Sequence, residues 1–301
     1  MDLHTIQSIF RRNNSTLAFL IGNGINRYYK TGQSWHDVLL SLWRTFSFST
    51  KSSIPKGIST TEFYDLLELQ DTKDGNIQSK IQQEIQSIFS RQSPNKAQNK
   101  VLSAIQDLSV PLFTTNIDDL IPKSLDLRFF NGIGGSLTDF YPWECYYSNR
   151  YLDIPTRGFA VWYVNGMKRY HRSIKLGLTH YMGNVDRARK WIHGNSEDIA
   201  FTEKNSKHWP GLKSWLHVVF NCDLFIFGLG LEENEVFLRW LLIERARYFR
   251  RFPKRKRQGW YLRTENEENR GRDFFLESLG FEILVVPDYA DIYDRLWDNA
   301  T

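Results

Sequence analysis

The sequence predicts an α/β protein in which helices cover both faces of a parallel sheet and a helical lobe is inserted into it. Three observations carry that prediction. Apolar runs at Leu17 to Ile21, Val110 to Phe113 and Leu224 to Phe227 read as strands buried on both faces. Each run ends in a polar or glycine turn: Ile21-Gly22-Asn23-Gly24-Ile25-Asn26, Thr114-Thr115-Asn116-Ile117-Asp118-Asp119, and Phe227-Gly228-Leu229-Gly230. Helix-period stretches separate the strands, the alternation that builds a parallel sheet. In an open sheet of this kind such turns gather at the carboxyl edge, where ligands bind.

Taken in order, Arg11 to Ser15 reads as a loop into the first strand, Thr16 to Ile21. Ser34 is a good cap for a helix over Trp35 to Phe46, with Trp35, Val38, Leu39 and Leu42 on one face. Phe46 to Ser59, rich in Ser, Lys and Gly, reads as an exposed connection. Amphipathic helices follow at Thr61 to Leu69, Asn76 to Phe89 and Lys96 to Leu108, so residues 60–108 read as a helical insert outside the sheet. The next strand is Val110 to Thr114, with a short helix near Asp119 to Leu125. Arg128 to Ile154 is aromatic and loop-like, with glycines at 132, 134 and 135. Strands are expected at Phe159 to Val164 and Ser173 to Leu178, and a helix at Val185 to Ile192. Trp215 to Asn221 leads into the strand Leu224 to Phe227, and a long helix spans Glu233 to Phe252. Gly259 to Arg263 and Phe281 to Val286 are strands around a helix at Arg272 to Leu279.

A chain of 301 residues, 41% hydrophobic and 24% charged, has ample length for a core and the composition of an ordinary globular protein. No stretch approaches the roughly 18 apolar residues of a membrane span, and the start lacks a secretory pattern. The expected location is cytoplasmic. Cys145 and Cys222 are the sole cysteines, so neither a disulfide framework nor a cysteine zinc site is available. The seven histidines show no metal-ligand spacing, so no metal is expected. Much of the +5 net charge sits in residues 245–257, from Arg245 to Arg257. That run reads as a solvated helix end favoured by the helix dipole; the rival reading is an anion-binding face for nucleic acid or an acidic partner. The aromatic cluster Tyr141, Trp143, Tyr146, Tyr147 and Tyr151 reads as core packing before it reads as a cleft cover or subunit contact.

The glycine turn lets backbone come close to a ligand or to the next element, and its amides suit a pyrophosphate. A tight turn with no ligand explains it equally well. It is not the three-glycine dinucleotide fingerprint, and no acidic residue ends the following strand. The run at 114–119 is more telling, because it sets several short polar side chains at a sheet edge. Thr115 and Asn116 can hold sugar hydroxyls or water, and Asp118 can accept from an amide. Helix capping by Asn116 or Asp118 accounts for part of the run, not all of it.

Gly22-Asn23-Gly24-Ile25-Asn26, Thr114-Thr115-Asn116-Ile117-Asp118, a strand ending near Asn165-Gly166, and Phe227-Gly228-Leu229-Gly230 with Glu232 and Glu235 together resemble the sirtuin-like (SIR2) fold, in particular the bacterial SIR2-like proteins of anti-phage defence. The resemblance covers about residues 15 to 290, with the helical region in the family's variable part. It implies one SIR2-like domain over 1–301 with a Rossmann-like sheet, and NAD+ as the substrate of a glycohydrolase that cuts the nicotinamide–ribose bond. By carry-over, Asn116 orients water or ribose and Asp118 contacts the nicotinamide amide. Gly22, Asn23, Gly24 and Asn26 line the phosphates, Thr115 is a further cofactor contact, and Gly228 and Glu232 face the adenosine half.

One position departs from the pattern. Members usually carry a catalytic His before a Gly on the middle strand, where this chain has Val164-Asn165-Gly166. Asparagine is no general base near neutral pH. Either His171 supplies the base, or Asn165 suffices in a hydrolysis driven by positioning, or the subunit binds NAD+ without cleaving it. Two cysteines cannot build the four-cysteine zinc ribbon of the protein-deacetylating sirtuins, which disfavours deacetylation. An ungated NAD+ hydrolase would harm its host, and no separate sensor domain follows the last strand. A protein partner or self-assembly is therefore expected to supply the gate. Nucleic acid at 245–257 is the less favoured alternative.

Overall fold

The computed structural model describes residues 2–47, 53–70, 76–132, 138–194 and 209–298. Gly134, Gly135 and part of the 46–59 connection lie outside the described residues. In chain order the elements begin with α1 (Leu3–Asn13), β1 (Leu17–Ile21), α2 (Gly24–Tyr28) and α3 (Trp35–Phe46). Helices α4 (Thr60–Glu68), α5 (Ile77–Ser90) and α6 (Asn99–Asp107) precede β2 (Leu112–Thr114) and α7 (Leu120–Ser124). Strands β3 (Arg128–Phe130), β4 (Tyr146–Ser148) and β5 (Val161–Tyr163) follow, then α8 (Leu178–His193) and α9 (Trp215–Asn221). The chain continues through β6 (Asp223–Phe227), α10 (Val236–Arg251), β7 (Gly259–Thr264), α11 (Arg270–Ser278), β8 (Glu282–Val286) and α12 (Tyr289–Tyr293).

Among the described residues eight strands form one sheet in the order β3-β4-β5-β2-β1-β6-β7-β8. Pairing is parallel from β5 across to β8 and antiparallel at β3/β4 and β4/β5. The predicted α/β architecture, a Rossmann-like sheet with helices on both faces, is therefore the observed one. Period-two alternation explains the two cores. Ala18 and Leu20 of β1, with Leu224 and Ile226 of β6, face a layer made by α8, α9, α10 and α11. Leu17, Phe19 and Ile21, with Phe225 and Phe227, face the other layer, made by α1, α6 and α12. Trp143 and Tyr146 of the aromatic cluster are buried in the first of these cores.

A third cluster joins α3, α4 and α5, closed by Ile117, Ile174 and Leu176. Local chemistry starts two of these helices. The Ser34 side chain accepts from the Asp37 N–H to cap α3, and Ser59 with Glu62 forms a capping box on α4. Helix α6, expected in the same lobe, instead buries Val101, Leu102 and Ile105 against the sheet.

Three local expectations change. The loop-like stretch 128–154 contains β3 and β4, whose aromatic residues pair across strands, Phe130 stacking on Tyr146 at 5.5 Å. Ser173 to Leu178 is not a strand, because β5 already has β2 on one side and β4 on the other. Ile174 and Leu176 bury their side chains in the helical lobe instead. Helix α8 begins at Leu178 rather than Val185, and its N-cap is Gly177, which has no side chain to cap it. His180 Nδ1 accepts from the N–H groups of Leu176 and Gly177 there, both at 3.3 Å.

Candidate functional site

Numbered among themselves in chain order, the six parallel strands β1, β2, β5, β6, β7 and β8 lie in the order 3-2-1-4-5-6. That is the strand order of dinucleotide-binding sheets, whose crevice opens between the first and fourth strands, here β1 and β6. The turns after β1, β2 and β6 meet at this carboxyl edge. The Gly24 N–H donates to Gly228 O at 2.9 Å, Thr115 N–H to Ile21 O at 3.2 Å, and Asn116 Nδ2 to Gly22 O at 3.4 Å. A side chain on Gly22 would stand 2.6 Å from Gly228 O, and one on Gly24 would stand 2.7 Å from Gly228 Cα. Gly228 has φ +62°, in the left-handed region that favours glycine. These glycines are required first by the close approach of the two turns to each other.

Above the turns lies a cleft of about 730 Å³, within the range of small-molecule sites. Its walls come from the starts of α2, α3 and α4, from Thr115, and from the segment 228–235 after β6. That segment is fixed by side chains from three sides. Tyr261 Oη donates to Leu229 O at 2.5 Å, Arg272 Nη1 to Gly230 O at 3.3 Å and Arg239 Nη1 to Leu231 O at 3.0 Å. Asn234 Nδ2 reaches Thr60 Oγ1 at 2.6 Å, tying the segment to the first residue of α4.

Of the residues singled out in the sequence, Asn23, Gly24, Thr115, Gly228 and Glu232 line the cleft. Gly22 is sealed between the two turns. Asn116 and Asn165 are buried. Asn116 Oδ1 has no hydrogen-bond partner among the described residues, while Asn165 acts on the carboxyl of Glu235, a cleft residue, in favour of its charged form. Asn26 and Asp118 are engaged elsewhere. Asn26 Nδ2 donates to Asp118 Oδ2 at 3.0 Å, Gln98 Nε2 donates to Asn26 Oδ1 at 3.1 Å, and the Leu120 N–H donates to Asp118 Oδ1 at 3.0 Å. Asp118 lines a separate hollow with Tyr163 and Lys168, and burial pushes its carboxyl up to about 6. With both oxygens occupied it ties α7 to the first turn. His171 sits on a 3-10 turn, His171–Ser173, and does not line the cleft.

Other cleft residues had no assigned role in the sequence, His36, Tyr293 and Glu235 among them. His36, in the first turn of α3, projects into the wall. Tyr293 closes on both glycine turns, so a side chain on Gly228 would lie 2.5 Å from its hydroxyl. Glu235 precedes α10, and burial pushes its carboxyl up to about 7, with Asn165 opposing the shift and the charge of Glu232 adding to it. In the sequence it reads as part of the long helix, which hides it.

The basic run lies at the far end of α10, about 24 Å from the cleft by helical rise over its 16 residues. Arg245 is not part of any surface. It is buried and donates to the carbonyls of Val219, Cys222 and Gln258. Arg247 pairs with Glu244, and Arg255 donates to Tyr248 Oη at 3.0 Å. Among the described residues no group of three or more His, Cys, Asp or Glu side chains is placed to hold a metal ion. No described helix is long and apolar enough to cross a membrane.

No protein-family model matches the chain, and no curated protein matches it. Among solved structures it is similar to one described as Sir2 bound to acetylated peptide. The TM-score is 0.39 and the identity 10%, over 98% of this chain and 97% of that one.

Proposed function

We propose that this protein binds NAD+ across the carboxyl ends of β1 and β6 and hydrolyses its nicotinamide–ribose bond. The observation that carries the proposal is the 3-2-1-4-5-6 order with two glycine turns and Thr115 lining one cleft at the point where the order reverses. The residues suit that substrate. Arg27 is a cleft cation available to a pyrophosphate. Asn116 Oδ1 is a buried acceptor with no donor among the described residues, an arrangement that costs about 1–3 kcal/mol unless something fills it. A ribose hydroxyl or the attacking water is such a donor.

Cleavage breaks the bond between C1′ and the pyridinium nitrogen, whose electron pair leaves with the neutral ring. The sugar passes through an oxocarbenium-like state that water then captures. The enzyme's share is to hold the linkage and the water in line, and side chains fixed by packing do this well. The sequence resemblance extends the proposal to depletion of NAD+ in anti-phage defence, gated by a protein partner or by self-assembly.

A second reading is a subunit that binds NAD+ without cleaving it. Asn165 favours it, since an amide cannot take a proton at neutral pH. Binding and NAD+ loss, measured on the chain with its neighbouring gene product, separate the two. For the hydrolase, Asn116→Ala should lower turnover about 100-fold while the nucleotide still binds. Full turnover in Asn116→Ala would place the chemistry elsewhere, and stoichiometric binding with no NAD+ loss would select the second reading.

A further inference from the structure

We propose that Glu235 is the carboxylate that meets the scissile linkage: ionised, it faces the cationic ring and the developing oxocarbenium, and it accepts the proton of the attacking water. The inference rests on the NAD+ reading above. Four carboxylates line the cleft, those of Glu232, Glu235, Glu267 and Glu268. Glu235 is the one with an oxygen, Oε2, shut away from solvent and without a hydrogen-bond partner among the described residues. Glu267, by contrast, accepts from Thr264 N–H at 3.1 Å.

The placement of Glu235 before α10 makes the orphaned oxygen more telling. A side chain there normally accepts from the first turn of the helix, and this one makes no such bond. Asn165, at the end of β5, acts on this carboxyl in favour of its charged form, and is a positioning residue beside it. Burial keeps the group near neutrality, where a base is best matched to physiological pH. The titratable groups acting on it are Glu232 on the same segment and Tyr181 on α8, with Arg27, His36 and Arg272 on the other walls.

The step balances without a further reactant. The C1′–N bond breaks and its electrons go to the ring nitrogen, releasing neutral nicotinamide. Water forms the new C1′–O bond, its proton passes to Glu235, and the carboxyl later returns that proton to solvent.

The test combines calorimetry and NAD+ loss on the full chain, comparing wild type with Glu235→Gln and Glu235→Asp, each first checked for an unchanged melting profile. Wild-type affinity for NAD+ should rise several-fold from pH 6 to pH 8 as the carboxylate forms, while affinity for ADP-ribose, which lacks the cationic ring, stays flat. Glu235→Gln should remove that pH dependence, hold NAD+ affinity near its pH 6 level and lower kcat at least 100-fold, and Glu235→Asp should restore part of the affinity and of kcat. A Gln variant that keeps the wild-type pH dependence or turnover would overturn the assignment and leave the NAD+ reading standing. Wild type that binds NAD+ and never turns it over would overturn the proton-accepting role. Wild type that binds neither NAD+ nor ADP-ribose would overturn the underlying reading itself.

Discussion

Lys175 shows how much a single buried charge costs this fold. Its ammonium is buried, lies 3.0 Å above the Phe140 ring and donates to Arg172 O at 3.2 Å. Burial, with the charge of Arg172 beside it, pushes the group down to about 7. The unfolded chain keeps the ordinary value near 10.4. Between those two values the unfolded state binds the extra proton, so the penalty of burying this lysine is full below pH 7 and fades as pH rises. Lys175→Met should therefore stabilise the protein most at low pH. Urea midpoints should show a gain at pH 6.5 that exceeds the gain at pH 9 by about 2 kcal/mol; equal gains at both would mean that the ammonium is solvated. Residues of this kind are poorly legible in a sequence. Lys175 sits among apolar neighbours, and the pattern Ser173 to Leu178 reads as a strand until the sheet shows β5 already paired on both sides. Gly22 and Gly24 were legible as a close approach, but the sequence left open whether a ligand or a second turn came close. The answer is a second turn, led by Gly228.

At the scale of elements, strands and helices with local signals were readable from the chain. Ser34 and the apolar face behind it define α3 to the residue, and the runs that became β1 and β6 alternate between two cores as their composition requires. What depended on long-range pairing was hidden. Strands β3 and β4 are three residues each and owe their state to partners across the sheet. Helix α6 looks like its neighbours in the lobe, yet it packs on the sheet. Helix α10 contains the sharpest mixture of legible and hidden features. Its basic end reads as a uniform charged surface, but Arg245 is an internal strut between α9, β6 and β7. Burial lowers its guanidinium to about 9, and three carbonyls depend on it. Arg245→Met should lower stability by about 2–4 kcal/mol through orphaned acceptors. Reversing the exposed Arg250, Arg251 and Lys254 should change it by no more than about 0.5 kcal/mol. Denaturant midpoints of the two variants check this, and a costly surface reversal would reassign the run to a structural role.

For the whole molecule, the topology carries more functional meaning than any one motif. The three turns singled out in the sequence do meet at one sheet edge, and the strand order places the cleft where the connections diverge to either side of β1. The division of labour inside the site was less visible. Asn26 and Asp118 look like ligand contacts in the sequence and instead bond to each other. Glu235 reads as part of the long helix in the sequence and instead precedes it with an unpartnered oxygen. Side-chain partners separated by some 70 or 90 residues cannot be read from local pattern, and these pairings decide which polar groups remain free for a substrate. The most direct test of the account is a crystal structure of the protein soaked with ADP-ribose, the portion of NAD+ that survives cleavage. The account predicts density for its pyrophosphate in the cleft above the turns led by Gly22 and Gly228, with a ribose beside Thr115 and Glu235. Nucleotide bound at another face, or a cleft that stays free of it at saturating concentration, would contradict the account.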